Sequence, residues 1–249
     1  MTSYPTTKGT KQVAVLHAAG YAGRELIRLL LGHPEAVLAA VTSRTFAGQP
    51  VWTAHPTLRG QTDLVFTDPA ALDVAGLDAV MITAEHGKGG AAVMGLLEAG
   101  FDGTIVDLSA DCRFDDPGLY DTWFGYTHPA PALLGDFAYG LVEVNAPYPA
   151  GTKWVANPGC FASGVGLALW PLAQHLSPLH ASVTALTGAS GSGAKPKTTT
   201  HYPTRDGNVR AYKILAHQHL PEIQQTLGPG AEVAFVPVSG PWTRGIWER

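Results

Sequence analysis

The sequence contains little cysteine and no strong excess of either charge. Only two cysteines, Cys112 and Cys160, occur among 249 residues, so a disulfide-stapled secreted domain is not expected and both thiols are predicted to be free. The formal net charge is −4 and no long run of lysine or arginine occurs, which argues against a nucleic-acid-binding surface. The polar Met1–Gln12 segment lacks the apolar centre of a signal peptide, so a cytoplasmic location is expected.

Long hydrophobic runs are also absent. No stretch approaches the roughly 20 consecutive apolar residues of a membrane span, and we find no internal repeat. Instead, 45% of the residues are hydrophobic and 29 are glycine, a composition that fits an α/β protein with a substantial core. At 249 residues the chain has room for one large or two ordinary domains.

Short apolar segments alternate with helical patterns in the first half of the chain. Val13–Leu16 predicts a strand, a glycine turn follows, and Arg24–Leu31 predicts a helix. The same alternation predicts strands at 37–41, 79–82, 104–108 and 154–156 and a helix at 89–99. Apolar strands separated by helices indicate a parallel sheet covered on both faces, so we expect an α/β fold with a Rossmann-type domain over residues 1–156.

The remaining residues, 157–249, predict an α+β domain. A helix of about three turns should follow Cys160. A second sheet is predicted to contain strands at 181–186 and 232–236 and the start of another near 245–247, with a short helix at 221–223. The segment 117–149 is crowded with aromatic residues and prolines, and it predicts irregular structure with one short strand.

The tetrapeptide Asn157-Pro158-Gly159-Cys160 places a cysteine where a turn is predicted to lead into a helix. Unpaired backbone N–H groups and the positive end of the helix dipole stabilise a thiolate at such a position, so a lowered pKa is expected. This setting favours a nucleophile. A buried cysteine that serves only in packing is the alternative, since free cysteine is among the most buried residue types.

The segment His17-Ala18-Ala19-Gly20-Tyr21-Ala22-Gly23 lies between a predicted strand and a predicted helix, as a dinucleotide-binding fingerprint requires. Bare backbone over Gly20–Gly23 would let a pyrophosphate approach the helix N-terminus. His17 occupies the place of the first glycine, where a Cβ could narrow the turn or push the cofactor outward. A tight strand-to-helix connection without a ligand is the alternative.

The segment Thr42-Ser43-Arg44 follows the second predicted strand. A carboxylate here would bind the ribose 2′-hydroxyl of NAD, whereas Ser43 and Arg44 suit the 2′-phosphate of NADP. NADP is therefore the expected cofactor. An exposed loop arginine without a ligand is the alternative interpretation of Arg44.

Two histidines, His217 and His219, supply the acid–base group that thiol chemistry needs, because imidazole titrates near neutral pH. Histidines at this spacing also suggest a metal. A metal needs further ligands, and no other histidine cluster is evident, so none is expected. The alternative for either histidine is a surface or supporting role.

Two further segments could bind anions. Ser190-Gly191-Ser192-Gly193-Ala194-Lys195 combines backbone N–H groups, hydroxyls and a cation, although a flexible linker would have a similar composition. The segment from Asp107 to Arg113 follows a predicted strand, where ligands of open α/β sheets bind. Arg113 could hold a phosphate or carboxylate, or pair with Asp111 or Asp115.

Together these segments resemble the N-acetyl-γ-glutamyl-phosphate reductases of arginine biosynthesis, from about Lys11 to the last residue. The lysine-biosynthesis reductases of carrier-bound aminoadipyl phosphate are similar. The motifs occur in the family's order and are Gly20-Tyr21-Ala22-Gly23, Thr42-Ser43-Arg44, His86-Gly87, Asp107-Leu108-Ser109-Ala110-Asp111, Asn157-Pro158-Gly159-Cys160, Ser190-Gly191-Ser192-Gly193 and His217-Gln218-His219-Leu220-Pro221-Glu222-Ile223.

The resemblance implies an NADPH-dependent acyl-phosphate reductase that acts through a cysteine thioester and forms a homo-oligomer. It implies Cys160 as the nucleophile and His219 as the acid–base group, with His217 as its rival. The cofactor-binding residues that it implies are Gly20, Tyr21, Ala22, Gly23, Ser43, Arg44, His86, Ser192 and Gly193. The implied substrate-binding residues are Ser109, Arg113, Asn157 and Ser190.

In the family the polypeptide continues past Arg244-Gly245-Ile246, so a C-terminally incomplete catalytic domain is expected. The segment Asn157–Cys160 favours the arginine branch, whereas Ser43–Gly48 and His55–Gly60 lean toward the lysine branch; we prefer the arginine branch. Two further hypotheses stay open: a thiol hydrolase or acyltransferase that uses no cofactor, and a nucleotide-binding protein without turnover.

Overall fold

The computed structural model describes residues 10–249; the other residues of the Met1–Gln12 segment lie outside the described residues. Within the described range the strands are β1 Lys11–Leu16, β2 Ala36–Val41, β3 Ala79–Ile82, β4 Thr104–Asp107, β5 Ala138–Tyr139, β6 Trp154–Ala156, β7 Leu179–Thr187, β8 Arg210–Ala211, β9 Ala231–Ser239 and β10 Ile246–Glu248. The α-helices are α1 Tyr21–Leu30, α2 Val51–Ala54, α3 Gly89–Glu98, α4 Gly118–Phe124, α5 Val142–Asn145, α6 Cys160–Ala173, α7 Tyr202–Arg205 and α8 Leu220–Leu227.

The chain divides into two compact units. The first contains the described residues up to Cys112 together with His128–Ala138 and Ala150–Asn157. The second contains Arg113–Thr127, Tyr139–Pro149 and Pro158–Arg249.

A six-stranded sheet of order β2-β1-β3-β4-β6-β5 dominates the first unit. Strand β1 pairs in parallel with both β2 and β3, and β4 pairs in parallel with β3 and β6. Alternate residues of β1 enter different apolar clusters: Ala14 and Leu16 belong to one, and Val13 and Val15 to the other. Because β1 buries both of its faces, its apolar run carries no polar alternation, and the predicted α/β class is confirmed.

The second unit is built on a four-stranded mixed sheet of order β10-β7-β9-β8. The central strands β7 and β9 are parallel, and the outer strands β10 and β8 pair with them in antiparallel fashion. Helices α6 and α8 pack on this sheet through a core that includes Phe161, Val165, Ile223 and Phe235. This packing holds the first residues of both helices in fixed positions.

Several elements differ from the sequence-based prediction. Helix α6 continues through Pro171 to Ala173, because a proline in the last turn removes one N–H but leaves little helix beyond it to disturb. The segment 117–149 contains two short helices, α4 and α5, as well as the single predicted strand. Among the described helices, none is both long enough and apolar enough to cross a membrane.

Candidate active site

Cys160 is the first residue of α6 and lies on the protein surface. The preceding Gly159 adopts an extended conformation, and no side chain caps the start of the helix. The backbone amides of the first turn therefore face outward beside the thiol. Both Cys160 and Cys112 are free thiols, and only Cys112 is buried, so the packing interpretation of Cys160 is wrong.

The expected lowering of the Cys160 pKa is not what the structure shows. Although Cys160 is exposed as a residue, the protein atoms around its thiol remove part of its hydration, and this desolvation raises the pKa. The backbone N–H of Phe161 and the guanidinium of Arg113 lower the pKa, but by less. The resting thiol is therefore protonated at neutral pH, and a base is needed to make it nucleophilic.

His217 is buried and held by neighbouring aromatic rings and by the backbone. Its Nδ1 accepts the backbone N–H of His219 at 3.1 Å, and its ring packs edge-on against Phe161 and Phe235. Burial is the main cause that lowers the pKa of His217 to about 3, and the neighbouring His219 lowers it further. A neutral imidazole fixed in this way serves as a structural support for the segment that carries His219.

His219 lies against the residue that precedes the cysteine. A Cβ added to Gly159 would lie 2.5 Å from Nε2 of His219 and 2.8 Å from Oε1 of Glu222. Only glycine therefore allows the imidazole to approach the start of α6 so closely. The ring of His219 also packs against Phe161, with ring centroids 5.9 Å apart. Of the two candidate acid–base histidines, His219 is the one in contact with the cysteine turn.

Glu222 organises this turn, a role that the sequence analysis missed. Its carboxylate is completely buried and accepts three hydrogen bonds: from Arg113 Nη1 at 2.9 Å, from the Tyr139 hydroxyl at 3.0 Å and from the Gly159 backbone N–H at 2.9 Å. His219 Nε2 lies 3.9 Å from Oε1 of the same carboxylate. The His219–Glu222 spacing of one helical turn was a signal that could have identified this pair.

Arg113 forms a buried ion pair with Glu222, a partner that the sequence analysis did not consider. Its side chain is 4% exposed, and its positive charge acts on the Cys160 thiol, so the expected contact between Arg113 and a substrate anion stays a prediction. The hydroxyl of Tyr139 completes the group, and burial, followed by the charge of Glu222, raises the pKa of this tyrosine. Arg113, Tyr139 and Glu222 together hold Gly159, and with it the start of α6, in place.

Tyr212 is a second residue that the sequence analysis missed. Burial raises the pKa of Tyr212 to about 12, and the Cys160 thiolate contributes to the same shift. Its ring packs edge-on against His217 at 5.7 Å between centroids. No motif marks Tyr212, because its position depends on the pairing of β8 with β9 just before it.

In the first unit the glycine turn has the geometry of a dinucleotide site. His17 has φ +58°, the left-handed conformation that the missing first glycine would otherwise adopt. A Cβ added to Gly20 would meet open space, whereas one added to Gly23 would collide with the backbone of Ala18. Gly20 therefore leaves room for a ligand, and Gly23 allows the helix to pack closely on the turn.

The start of α1 also suits a pyrophosphate. No side chain caps the helix, so the amides of Tyr21, Ala22 and Gly23 are available to an anion. His55, which the sequence analysis did not assign, supports this turn: its buried Nε2 lies 2.7 Å from the carbonyl oxygen of Ala18. These observations show that the residues present fit a dinucleotide.

Three further cofactor-binding residues implied by the resemblance, Ser43, Arg44 and His86, follow β2 and β3, the two strands that flank β1. Arg44 is exposed after β2, while Ser43 is buried and its Oγ accepts the Phe46 N–H at 3.2 Å. His86 lies after β3, and its Nδ1 accepts the Ala110 N–H at 3.1 Å. Arg44 is therefore open to a ligand, whereas Ser43 mainly shapes the turn.

Ser109 is held in a buried hydrogen-bond network. It is fully buried, its hydroxyl donates to Asp107 Oδ2 at 2.7 Å, and its Oγ accepts the Asp111 N–H at 3.1 Å. Asp111 in turn accepts the N–H groups of Gly87 and Gly90. This network anchors the start of α3 and gives Ser109 a structural role, while its contact with a substrate stays a prediction.

The remaining predicted residues lie on well-defined backbone. Asn157 is exposed, and its N–H donates to the Asp107 carbonyl at 2.7 Å. Ser190 and Ser192 belong to a 3-10 turn that ends at Gly193 with φ +83°, and the Ser190 N–H donates to Thr243 at 3.1 Å. These hydrogen bonds make the flexible-linker interpretation wrong. Within residues 10–249, no cluster of three or more His, Cys, Asp or Glu side chains could hold a metal ion.

Both units match known protein families. Residues 12–149 match the semialdehyde dehydrogenase NAD binding domain, and residues 160–249 match the semialdehyde dehydrogenase dimerisation domain. The N-acetyl-γ-glutamyl-phosphate reductase of Methanopyrus kandleri is 40% identical over 94% of this chain and 69% of that protein. The LysW-L-2-aminoadipate 6-phosphate reductase of Deinococcus radiodurans is 39% identical over 95% of this chain and 67% of that protein.

Solved structures share the fold at lower sequence identity. Aspartate semialdehyde dehydrogenase II of Vibrio cholerae aligns with a TM-score of 0.70 and 17% identity over 96% of this chain and 73% of that one. The NADP-bound aspartate semialdehyde dehydrogenase of Candida albicans aligns with a TM-score of 0.68 and 19% identity over 96% of this chain and 70% of that one. The sequence relatives and the two domain matches agree, and this chain belongs to the N-acetyl-γ-glutamyl-phosphate reductase family of semialdehyde dehydrogenases.

Proposed function

We propose that this chain catalyses the NADPH-dependent reduction of N-acetyl-γ-glutamyl phosphate to N-acetylglutamate semialdehyde, a step of arginine biosynthesis. The observation that carries the proposal is the exposed Cys160 at the uncapped start of α6, with His219 against the adjoining Gly159. The names of the relatives supply the substrate class.

The reaction begins with removal of the Cys160 proton. Because desolvation raises the thiol pKa, the thiolate must be generated by a base, and we assign this role to His219, which lies against the adjoining Gly159. The thiolate then attacks the acyl carbon, the bond from this carbon to the phosphate oxygen breaks, and phosphate leaves. Cys160 is now joined to the acyl group as a thioester.

Reduction of the thioester requires a hydride, which NADPH held at Gly20–Gly23 and Arg44 would supply. The resulting tetrahedral oxyanion on Cys160 is stabilised by the outward-facing amides at the start of α6. Collapse of this oxyanion breaks the carbon–sulfur bond and releases the semialdehyde. The protonated His219 returns its proton to the departing thiolate, and the enzyme is restored.

Cofactor binding is assigned to residues 1–156 and catalysis to residues 157–249. Gly20–Gly23 would hold the pyrophosphate, and Arg44 would bind the 2′-phosphate that distinguishes NADP. The match of residues 160–249 to a dimerisation domain supports a homo-oligomer. The two free thiols support a location in the cytoplasm.

The experiment measures the reverse reaction, in which N-acetylglutamate semialdehyde, NADP and phosphate form NADPH. We expect activity in the wild type, none in Cys160→Ser, and near-normal activity in Cys112→Ser, the matched control at the other free thiol. Absence of wild-type activity while NADPH still binds would contradict the proposal and favour a nucleotide-binding protein without turnover. Acyl transfer to water without any cofactor would favour the thiol hydrolase.

A second candidate substrate is carrier-bound aminoadipyl phosphate. The 39% identity to the Deinococcus radiodurans enzyme, close to the 40% identity to the Methanopyrus kandleri enzyme, is the observation that favours it. The ratio of kcat/KM for the two semialdehydes distinguishes the candidates. We expect the acetylated substrate to be preferred, and a preference for the carrier-bound one would move this chain to lysine biosynthesis.

A further inference from the structure

His17 occupies a constrained position at the end of β1. Its backbone is left-handed with φ +58°, a conformation that is unfavourable for a residue other than glycine. Its N–H donates to Thr42 Oγ1 at 3.0 Å, and its carbonyl accepts the Thr83 hydroxyl at 3.2 Å. Residues that follow the two flanking strands, β2 and β3, therefore hold His17 in place and fix the point from which its side chain extends.

The side chain of His17 is half-buried and has no hydrogen-bond partner among residues 10–249. Burial lowers its pKa most, followed by the positive charges of Arg44 and Lys88, while Asp68 raises it. Lys88 is paired with Glu85 at 2.7 Å, whereas Arg44 forms no ion pair within the described part of the chain. The imidazole of His17 therefore has no hydrogen bond in the described part of the chain, and it lies within the electrostatic influence of Arg44, whose charge no carboxylate pairs with.

We propose that the imidazole of His17 acts together with Arg44 as a ligand of the 2′-phosphate of NADP and so selects this cofactor over NAD. The inference rests on the proposed function. The pyrophosphate of a dinucleotide belongs at the start of α1, whereas the ribose substituents lie near the end of β2, where Arg44 is located. A dianionic phosphate there would satisfy both His17 and Arg44.

The pH dependence of NADPH binding provides a second test of the proposal. The 2′-phosphate carries about −1.5 to −2 charges near neutral pH, so binding raises the pKa of His17 and the complex takes up a proton. NADPH affinity should therefore weaken as pH rises through the His17 pKa of the complex.

The test is isothermal titration of NADPH and NADH into the full chain between pH 6 and 8.5, for wild type, His17→Asn and His17→Gly. Both substitutions remove the imidazole and suit a left-handed backbone. At pH 6.5 we expect NADPH affinity to fall about tenfold, the size of one charge-assisted hydrogen bond, while NADH affinity changes less than twofold. Proton uptake on NADPH binding should be smaller in both variants than in the exposed-histidine control His175→Gln.

Equal losses for NADPH and NADH, or no loss in either variant, would overturn the inference, because the 2′-phosphate would then not contact His17. The melting temperatures of the free variants show whether they are folded. The melting temperature of His17→Gly is expected to equal or exceed that of the wild type. Binding of neither nucleotide to the wild type would contradict the proposed function and this inference together. Wild-type binding of NADH alone would contradict this inference and the choice of NADP, while leaving the proposed reductase chemistry in place.

Discussion

At the scale of single residues, the chemistry depends on how Gly159 connects a cysteine, a histidine and a carboxylate. Gly159 donates its N–H to Glu222, and the absence of a side chain at Gly159 admits His219 against the residue that precedes Cys160. The thiol is not activated in advance, because desolvation raises its pKa. Activation by a neighbouring base is therefore the central requirement of the site.

The first prediction separates the two histidines. His219→Asn should lower kcat by about 10²–10⁴-fold, the usual contribution of a general acid–base group, with little change in KM. His217→Asn should mainly lower the melting temperature, because His217 is buried among aromatic rings and supports the backbone of His219. Steady-state kinetics and thermal unfolding of both variants check this, and the reverse pattern would make His217 the acid–base group.

The second prediction concerns the ionisation of Cys160. In a Cys112→Ala background, the alkylation rate by iodoacetamide should rise with pH to a midpoint above that of an ordinary thiol, since burial raises the Cys160 pKa. Stopped-flow or mass-spectrometric rates across the pH range provide the measurement. A midpoint below the ordinary value would show that the helix-start amides outweigh desolvation.

At the scale of the elements, two helices cooperate through a buried ion pair. Glu222 lies in the first turn of α8, and its carboxylate receives Arg113 and the Gly159 N–H in front of α6. Breaking a buried pair leaves an uncompensated charge, so this contact controls stability as well as geometry.

The third prediction follows from this pair. Glu222→Gln should lower the free energy of unfolding by about 3–5 kcal/mol, because the guanidinium of Arg113 loses its buried counter-charge. Glu232→Gln, at a carboxylate that is 81% exposed, is the control and should change stability by less than about 0.5 kcal/mol. Urea denaturation gives both values, and equal effects would show that the Arg113–Glu222 pair is not a structural anchor.

Sequence patterns were most informative for elements with strong local signals. The apolar runs of β1, β3 and β4 and the turn before α6 were predictable, since burial on both faces and glycine turns leave clear patterns. Helices α4 and α5 were not, because they are short and lie in an aromatic segment without periodicity. The contacts of Glu222 with Arg113 and Tyr139 span 109 and 83 residues, and no local pattern encodes them.

At the scale of the whole molecule, buried titratable groups in the second unit set opposing limits on stability. Folding lowers the pKa of His217 to about 3, so this residue contributes to stability at pH values above its ordinary pKa. The contribution is lost as the pH falls below that value. Glu248, with its pKa raised by burial to about 7, favours folding at low pH and loses that contribution as pH rises from its ordinary value through 7. Stability should therefore be greatest at mildly acidic pH.

The fourth prediction uses the Glu248 carboxylate, which packs against Gly164 of α6 and whose Oε1 has no hydrogen-bond partner in the described part of the chain. Glu248→Gln should raise the melting temperature at pH 8, where the wild-type carboxylate is charged, and change it little at pH 5, where it is protonated. Differential scanning fluorimetry at the two pH values measures this. A larger gain at pH 5 than at pH 8 would show that Glu248 is not the group responsible.

The most direct test of the account is a rapid-mixing experiment with N-acetylglutamate semialdehyde and NADP in the absence of phosphate. Without phosphate the acyl group cannot leave, so we predict a burst of one NADPH per subunit and a thioester that mass spectrometry locates on Cys160. Addition of phosphate should then release the acyl group and restore turnover. Phosphate-dependent turnover with no burst and no acyl group on Cys160 would contradict the thioester mechanism.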